Sequence, residues 1–235
     1  MAPPDEPKPL IWRGSSQRDF AAFPRSTQRE MGYALFLAQL GERHPRMAKG
    51  LKGFGGASVI EIRHNDYGST YRAVYTVRFA DAIYVLHAFQ KKSKKGITTP
   101  AAEIDLVKKR PRRFNQGKGA IAMSKKPAAR DPSRNVWLQL GFADAEEHYL
   151  KAELVLRLSH AIRSFELTQR AAAQRIGTTQ PELSKILRGK FSEVSLERLM
   201  RFLTALGCHI EITIGTNRGS KPGEVTIKDA RRKAA

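Results

Sequence analysis

The run Val85-Leu-His-Ala-Phe-Gln-Lys-Lys-Ser-Lys-Lys95 ends an apolar, β-prone stretch in the imidazole of His87 and passes directly into four lysines. Upstream, Tyr71, Arg72 and Tyr75 lie on a second strand-like run, and Arg63 closes a third. Imidazole, guanidinium, phenol and ammonium groups gathered at a sheet edge suit a phosphodiester. RNA can be cut there without a metal. The 2′-hydroxyl loses a proton, cations stabilise the phosphorane, and the departing 5′-oxygen gains a proton. The candidate catalytic residues are Arg63, Arg72, Tyr75, His87, Lys91 and Lys92, with Lys94 and Lys95 as RNA-gripping cations.

Each candidate has a structural reading beside the chemical one. Strand alternation puts Tyr71, Ala73 and Tyr75 on one face and Arg72 and Val74 on the other, so either Arg72 or the tyrosines are structural unless the sheet curls. A strand histidine is often a satisfied core residue, and a lysine run is often a solvated loop. Arg63 can pair with Glu61 or Asp66, and Tyr75 can be plain core. No His/Cys/Asp grouping has metal-ligand spacing, so neither a metal nor a cofactor is expected. The Gly50–Gly56 passage lacks the Lys-Ser/Thr ending of a phosphate-binding loop and reads as a turn.

A second constellation lies downstream. Thr168 caps a short helix stopped by Gly177, and Thr179-Gln-Pro-Glu182 restarts a helix with capping-box spacing. Leu183, Ile186 and Leu187 form its inward stripe. Gln180, Ser184, Lys185 and Arg188 are left facing outward. With Gln169 and Thr179 they make a set of amide, hydroxyl and cationic groups suited to base edges and phosphates in a major groove.

The elements that must position these residues fall into two modules. From Lys8 to Arg113 there are 21 Lys+Arg against 8 Asp+Glu, a net of +13, whereas Asn135–Gly215 carries 10 against 9, a net of +1. The whole chain of 235 residues has a formal charge of +20, which favours a polyanionic partner. Residues 8–113 therefore read as a basic first module. Residues 114–134, rich in Gly, Ser, Pro, Lys and Ala, read as a flexible linker. Residues 135–215 form the second module and 216–235 a basic tail. In the first module, Leu10–Trp12 reads as a short strand, and Thr27 with Glu30 as a capping box opening a helix that ends near Gly41. Three strands follow at Val59–Arg63, Tyr71–Val77 and Ile83–Phe89, and Pro100 opens a closing helix through Arg110. This is an antiparallel meander packed by helices. In the second module, Asp144 and Glu147 open a long helix, three shorter helices follow, and Cys208–Ile214 alternates like a strand. One cysteine excludes an internal disulfide and fits a reducing, cytoplasmic setting. No apolar run is long enough for a membrane span.

The motif Tyr-Arg-Ala-Val-Tyr at 71–75, the run from Val85 to Pro100, and Glu103-Ile-Asp105 resemble the phage-derived branch of RelE/HigB toxins across residues 8–113. Residues 135–215, with Ser195-Leu-Glu-Arg-Leu-Met-Arg-Phe-Leu-Thr-Ala-Leu-Gly207, resemble XRE/HigA-type antitoxins. The resemblance implies an α+β chain: a RelE-like antiparallel sheet with packed helices, then an all-α helix-turn-helix domain with a short C-terminal strand. It implies an mRNA endonuclease, ribosome-dependent in most relatives, that is held inhibited by a fused antitoxin which also represses its own operator as a dimer or higher oligomer. Among the candidates it singles out Arg72 and the Lys91/Lys92 pair, then Arg63 and His87. The implied partners are mRNA, the ribosome, operator DNA and the opposite module, in the same chain or another. The alternative is a non-enzymatic DNA-binding regulator whose first module is inactive.

Overall fold

The computed structural model describes residues 6–51, 59–66, 68–77, 79, 81–91, 128–216 and 223–229, and divides into two compact units at Phe142/Ala143.

The first unit is a mixed sheet with helices on one side. Its strands are β1 (Leu10–Trp12), β2 (Ala48–Gly50), β3 (Val59–Asp66), β4 (Ser69–Thr76) and β5 (Ile83–Lys91), arranged in the order β1-β5-β4-β3-β2. β3, β4 and β5 form the expected antiparallel meander, with Gly68 at a φ of +77° in the β3–β4 turn. β5 is buried on both faces from Ile83 to Ala88, which is why that stretch, His87 apart, reads as an apolar run. β1 adds to β5 in parallel, and β2 adds a short strand on the other edge that the sequence pattern did not signal.

Two helices, α1 (Ser16–Ala21) and α2 (Arg25–Gln39), precede the meander. The expected capping box at Thr27 is not what starts α2. The helix begins three residues earlier, after the extended Pro24, and has no side-chain cap. Thr27 is instead buried in the first turn. Its hydroxyl donates to Asp66 Oδ2 at 2.9 Å, and Ser26 donates to the same oxygen at 3.0 Å. Glu30 faces His64 of β3 at 3.7 Å rather than the helix N-terminus. A carboxylate from a neighbouring hairpin thus sits at the positive end of the helix, a tertiary solution that a local motif cannot reveal.

The expected linker differs at its C-terminal end. Residues 114–127 lie outside the described residues, but Ala128–Arg130 forms a 3-10 turn and Asn135 caps a short helix, α3 (Val136–Gln139). This stretch, through Phe142, packs within the first unit. Leu10 N donates to Ser133 O, and the Gln39 amide donates to Arg134 O at 2.9 Å. By compactness the second unit begins at Ala143, after the expected Asn135. The expected Pro100–Arg110 helix also lies outside the described residues, as does most of the Gly50–Gly56 turn.

The second unit is helical: α4 (Ala145–Ser164), α5 (Gln169–Arg175), α6 (Gln180–Leu187) and α7 (Leu196–Ala205). Thr168, Thr179 and Ser195 cap the last three helices by accepting the N–H three residues on. Gly177, Gly189 and Gly207 leave them with φ of +70°, +101° and +97°. Leu158, Leu183, Ile186, Phe191, Leu199 and Leu206 are among the residues buried between them. The expected strand at Cys208–Ile214 does not form: residues 208–216 belong to no strand, and Ile212 and Ile214 are 73% and 90% exposed. An alternating pattern makes a strand only where a neighbouring strand takes up its N–H and C=O groups; here Cys208 N donates to Leu203 O at the end of α7, and no strand among the described residues pairs with the segment. No helix among the described residues is long and apolar enough to cross a membrane.

Candidate functional site

Strand register decides which of the basic residues meet. Arg63 stands opposite Arg72, and Arg72 opposite Phe89; Glu61 stands opposite Val74, and Val74 opposite His87; Thr70 stands opposite Lys91. Directly paired residues share a face, so Arg63, Arg72, His87 and Lys91 form one polar row. His87 belongs to it by alternation with Phe89 and Lys91, and a bulge follows at once. Val74 pairs with His87 while Tyr75 pairs with Val85, which leaves Leu86 as the additional residue. Leu86 joins Val59, Val74, Ala82 and Tyr84 in an apolar cluster at one end of the same face.

Glu61 organises the row. Its Oε1 lies 2.6 Å from Arg72 Nη1 and its Oε2 3.3 Å from Arg63 Nη2. Pairing of Arg63 with Glu61 was one of the two partners strand spacing allowed; the pairing of Arg72 comes only from register. The two arginines differ in access. Arg72 is 1% exposed, whereas about a third of the Arg63 side chain (32%) is open. His87 is buried and its ring stacks on Phe89, centroids 5.1 Å apart at 23°. Lys91 is half-buried at the end of β5. A phosphate approaching this face meets Arg63 and Lys91 first, with the imidazole and the second guanidinium beneath. Lys92, Lys94 and Lys95 lie outside the described residues.

Tyr75 does not belong to this row. It is on the opposite, helix-covered face, opposite Ile60, and is almost fully buried. Burial pushes its phenol well above the usual range, with Arg43 opposing more weakly, so it is a poor proton carrier. Tyr71 shares that face and packs on Phe23 at 4.9 Å. The tyrosines are therefore core, on the face opposite to that of Arg72.

In the second unit, α5 and α6 form a helix-turn-helix. Gln180, at the start of α6, donates from Nε2 to Gln169 Oε1 at 3.2 Å and is exposed, so two amides sit side by side across the helix starts. Lys185 is exposed. Thr179 is exposed, but its oxygen already accepts from Glu182 N at 3.3 Å. The capping box is one-sided: the Glu182 carboxylate takes the Thr178 hydroxyl at 2.6 Å and Arg198 at 2.8 Å, which holds it below the usual range, the Thr178 bond foremost. Arg188 is half-buried and its Nε donates to Ser184 O at 3.0 Å. Ser184 departs from expectation. It is buried at 6% exposure, because α6 turns that position toward the unit's interior rather than outward.

Residues 18–112 match the family of phage-derived Gp49-like proteins, and residues 136–215 match a helix-turn-helix domain family. A solved structure described as an XRE family transcriptional regulator is 36% identical, covering 37% of this chain and 99% of its own, with a TM-score of 0.35. No curated protein matches. The chain thus joins a domain similar to the phage-derived Gp49-like proteins to a helix-turn-helix domain similar in sequence to an XRE family transcriptional regulator.

Proposed function

We propose that this chain is a toxin and its antitoxin in one polypeptide: an mRNA endonuclease that blocks translation, held inhibited by a module that also represses its own operator as a homodimer in the cytoplasm. The observation that carries this reading is the convergence of Arg63, Arg72, His87 and Lys91 on one sheet face, in a chain that also bears a helix-turn-helix. Arg63 and Lys91 neutralise the phosphorane, His87 moves the proton, and Arg72 positions Arg63 through Glu61. Lys92, Lys94 and Lys95 extend the grip on RNA. Gln169, Thr179, Gln180 and Lys185 meet DNA directly, with Arg188 at the rim.

The test is RNA cleavage by the full chain and by a chain ending at Phe142, with and without ribosomes. The shortened chain is expected to leave 2′,3′-cyclic phosphate ends, and Arg63→Ala with Lys91→Ala to abolish them. Cleavage of naked RNA that vanishes in a chelator and returns with metal would overturn the mechanism. One observation favours a second reading, a non-enzymatic regulator. Arg72 is buried and ion-paired, as a structural arginine would be. Absence of cleavage by either chain, on or off ribosomes, would select it.

A further inference from the structure

The family boundary and the contact boundary disagree. Sequence similarity assigns Val136–Phe142 to the helix-turn-helix domain, yet these residues pack within the first unit. We propose that Asp131–Phe142 is a recognition segment that fastens the helix-turn-helix module to the Gp49-like module, and that the groove along α2 and β1 accepts it whether or not the chain between the two is continuous.

Three anchors carry this assignment. Trp137 is 0% exposed and lies over Gly32 of α2, where an added Cβ would come within 2.8 Å of the indole Nε1. The helix is therefore shaped to admit the ring, and Phe36 flanks it at 6.0 Å between centroids. Phe142 is buried beneath two guanidinium groups, Arg25 at 4.4 Å and Arg29 at 4.7 Å from its centroid. The Gln139 amide is satisfied at both ends by β1: it accepts from Trp12 Nε1 and donates to Leu10 O at 3.0 Å. Aromatic anchors in fitted pockets, combined with hydrogen bonds to a strand's main chain, are the features by which short peptides are recognised. Ordinary core packing between consecutive elements does not need them.

The location also matters. α2 covers the sheet face that carries His64 and Tyr71, through Glu30–His64 and through Phe23 just before the helix. The groove is thus on the helix side of the sheet, while Arg63, Arg72, His87 and Lys91 line the other face. The segment is a fastener, not a plug in the cationic row.

The experiment uses the full chain with a specific protease site placed between residues 115 and 125. After cutting, the two fragments are expected to co-elute at micromolar concentration. A synthetic peptide spanning residues 128–142 should displace the helix-turn-helix fragment, and a scrambled peptide should not. Trp137→Ala, and separately Gly32→Leu on the other side of the contact, should each weaken association of the cut fragments by about tenfold or more. Circular dichroism of each uncut variant reports whether it is folded. Separation of the cut wild-type fragments, or failure of the peptide to displace them at large excess, would overturn the proposal. So would undiminished association of both cut variants. Binding rather than cleavage is read, so failure here is distinct from failure of the nuclease reading.

Discussion

At the scale of single residues, the Glu61–Arg72 pair has the largest consequence. Removing one partner of a buried pair leaves an uncompensated charge and costs about 3–5 kcal/mol. Here Arg63 still reaches Glu61, so Arg72→Ala is expected at the lower end of that range, read by urea denaturation. Arg72→Met with Glu61→Met should recover most of the stability but none of the activity. Lost cleavage in Arg72→Ala at unchanged stability would instead assign Arg72 a direct contact with RNA. Glu153 gives the second unit a pH dependence. Burial pushes its carboxyl up to about 7; Arg157 opposes this and Asp229 adds to it. In the folded chain Glu153 keeps a proton that the unfolded chain has lost above the ordinary value of 4.5. Stability from this group is therefore full at low pH and falls as pH rises through about 7, by at most about 3 kcal/mol. Glu153→Gln should raise stability relative to wild type at pH 8 and have little effect below pH 4.5. A difference that stays constant with pH would remove Glu153 as the cause.

At the scale of elements, α6 is the unit that reads DNA in the proposed function. Its first residue, Gln180, is exposed and aligned by Gln169. Gln180→Ala should weaken operator binding by about 1–3 kcal/mol and random DNA far less, as loss of a bidentate base contact does. Lys185→Ala should weaken both and flatten the salt dependence, as loss of a phosphate contact does. Salt titrations of operator and scrambled duplexes by fluorescence anisotropy separate the two. Equal losses on both duplexes for Gln180→Ala would mean that α6 does not read sequence through this residue. Most of these elements were legible in the chain. Thr168, Thr179, Ser195 and the helix-ending glycines are local signals, and local geometry is what they determine. The start of α2 was not legible, because Thr27 and Glu30 are engaged by β3 rather than by their own helix.

At the scale of the whole molecule, the division matters more than the elements. A chain cut at residue 114 loses Trp137 and Phe142 and uncovers Gly32 and Phe36, whereas a chain ending at Phe142 keeps the first unit whole. Loss of a buried tryptophan alone costs about 3–5 kcal/mol. This is why the cleavage experiment uses the longer fragment. The excess of positive charge in residues 8–113 is a property of that unit's composition. In the proposed function this charge draws RNA toward the unit, and the sheet register selects the face that acts on it.

The sequence by itself determined the two modules, the β3–β5 meander, the helix-turn-helix with its caps, and the opposition of Arg72 to the tyrosines. Each of these follows from composition or from a periodicity of two or 3.6 residues, which act over short stretches of chain. Only the tertiary structure decided that Arg63, Arg72, His87 and Lys91 share a row, that Glu61 bridges its arginines, and that Ser184 is buried. It also decided that Cys208–Ile214 finds no strand partner among the described residues, and that Trp137 belongs to the first unit. These outcomes depend on which distant backbone lies alongside, set by strand register and by the shape of the surface that Gly32 leaves open. No short-range pattern encodes either one.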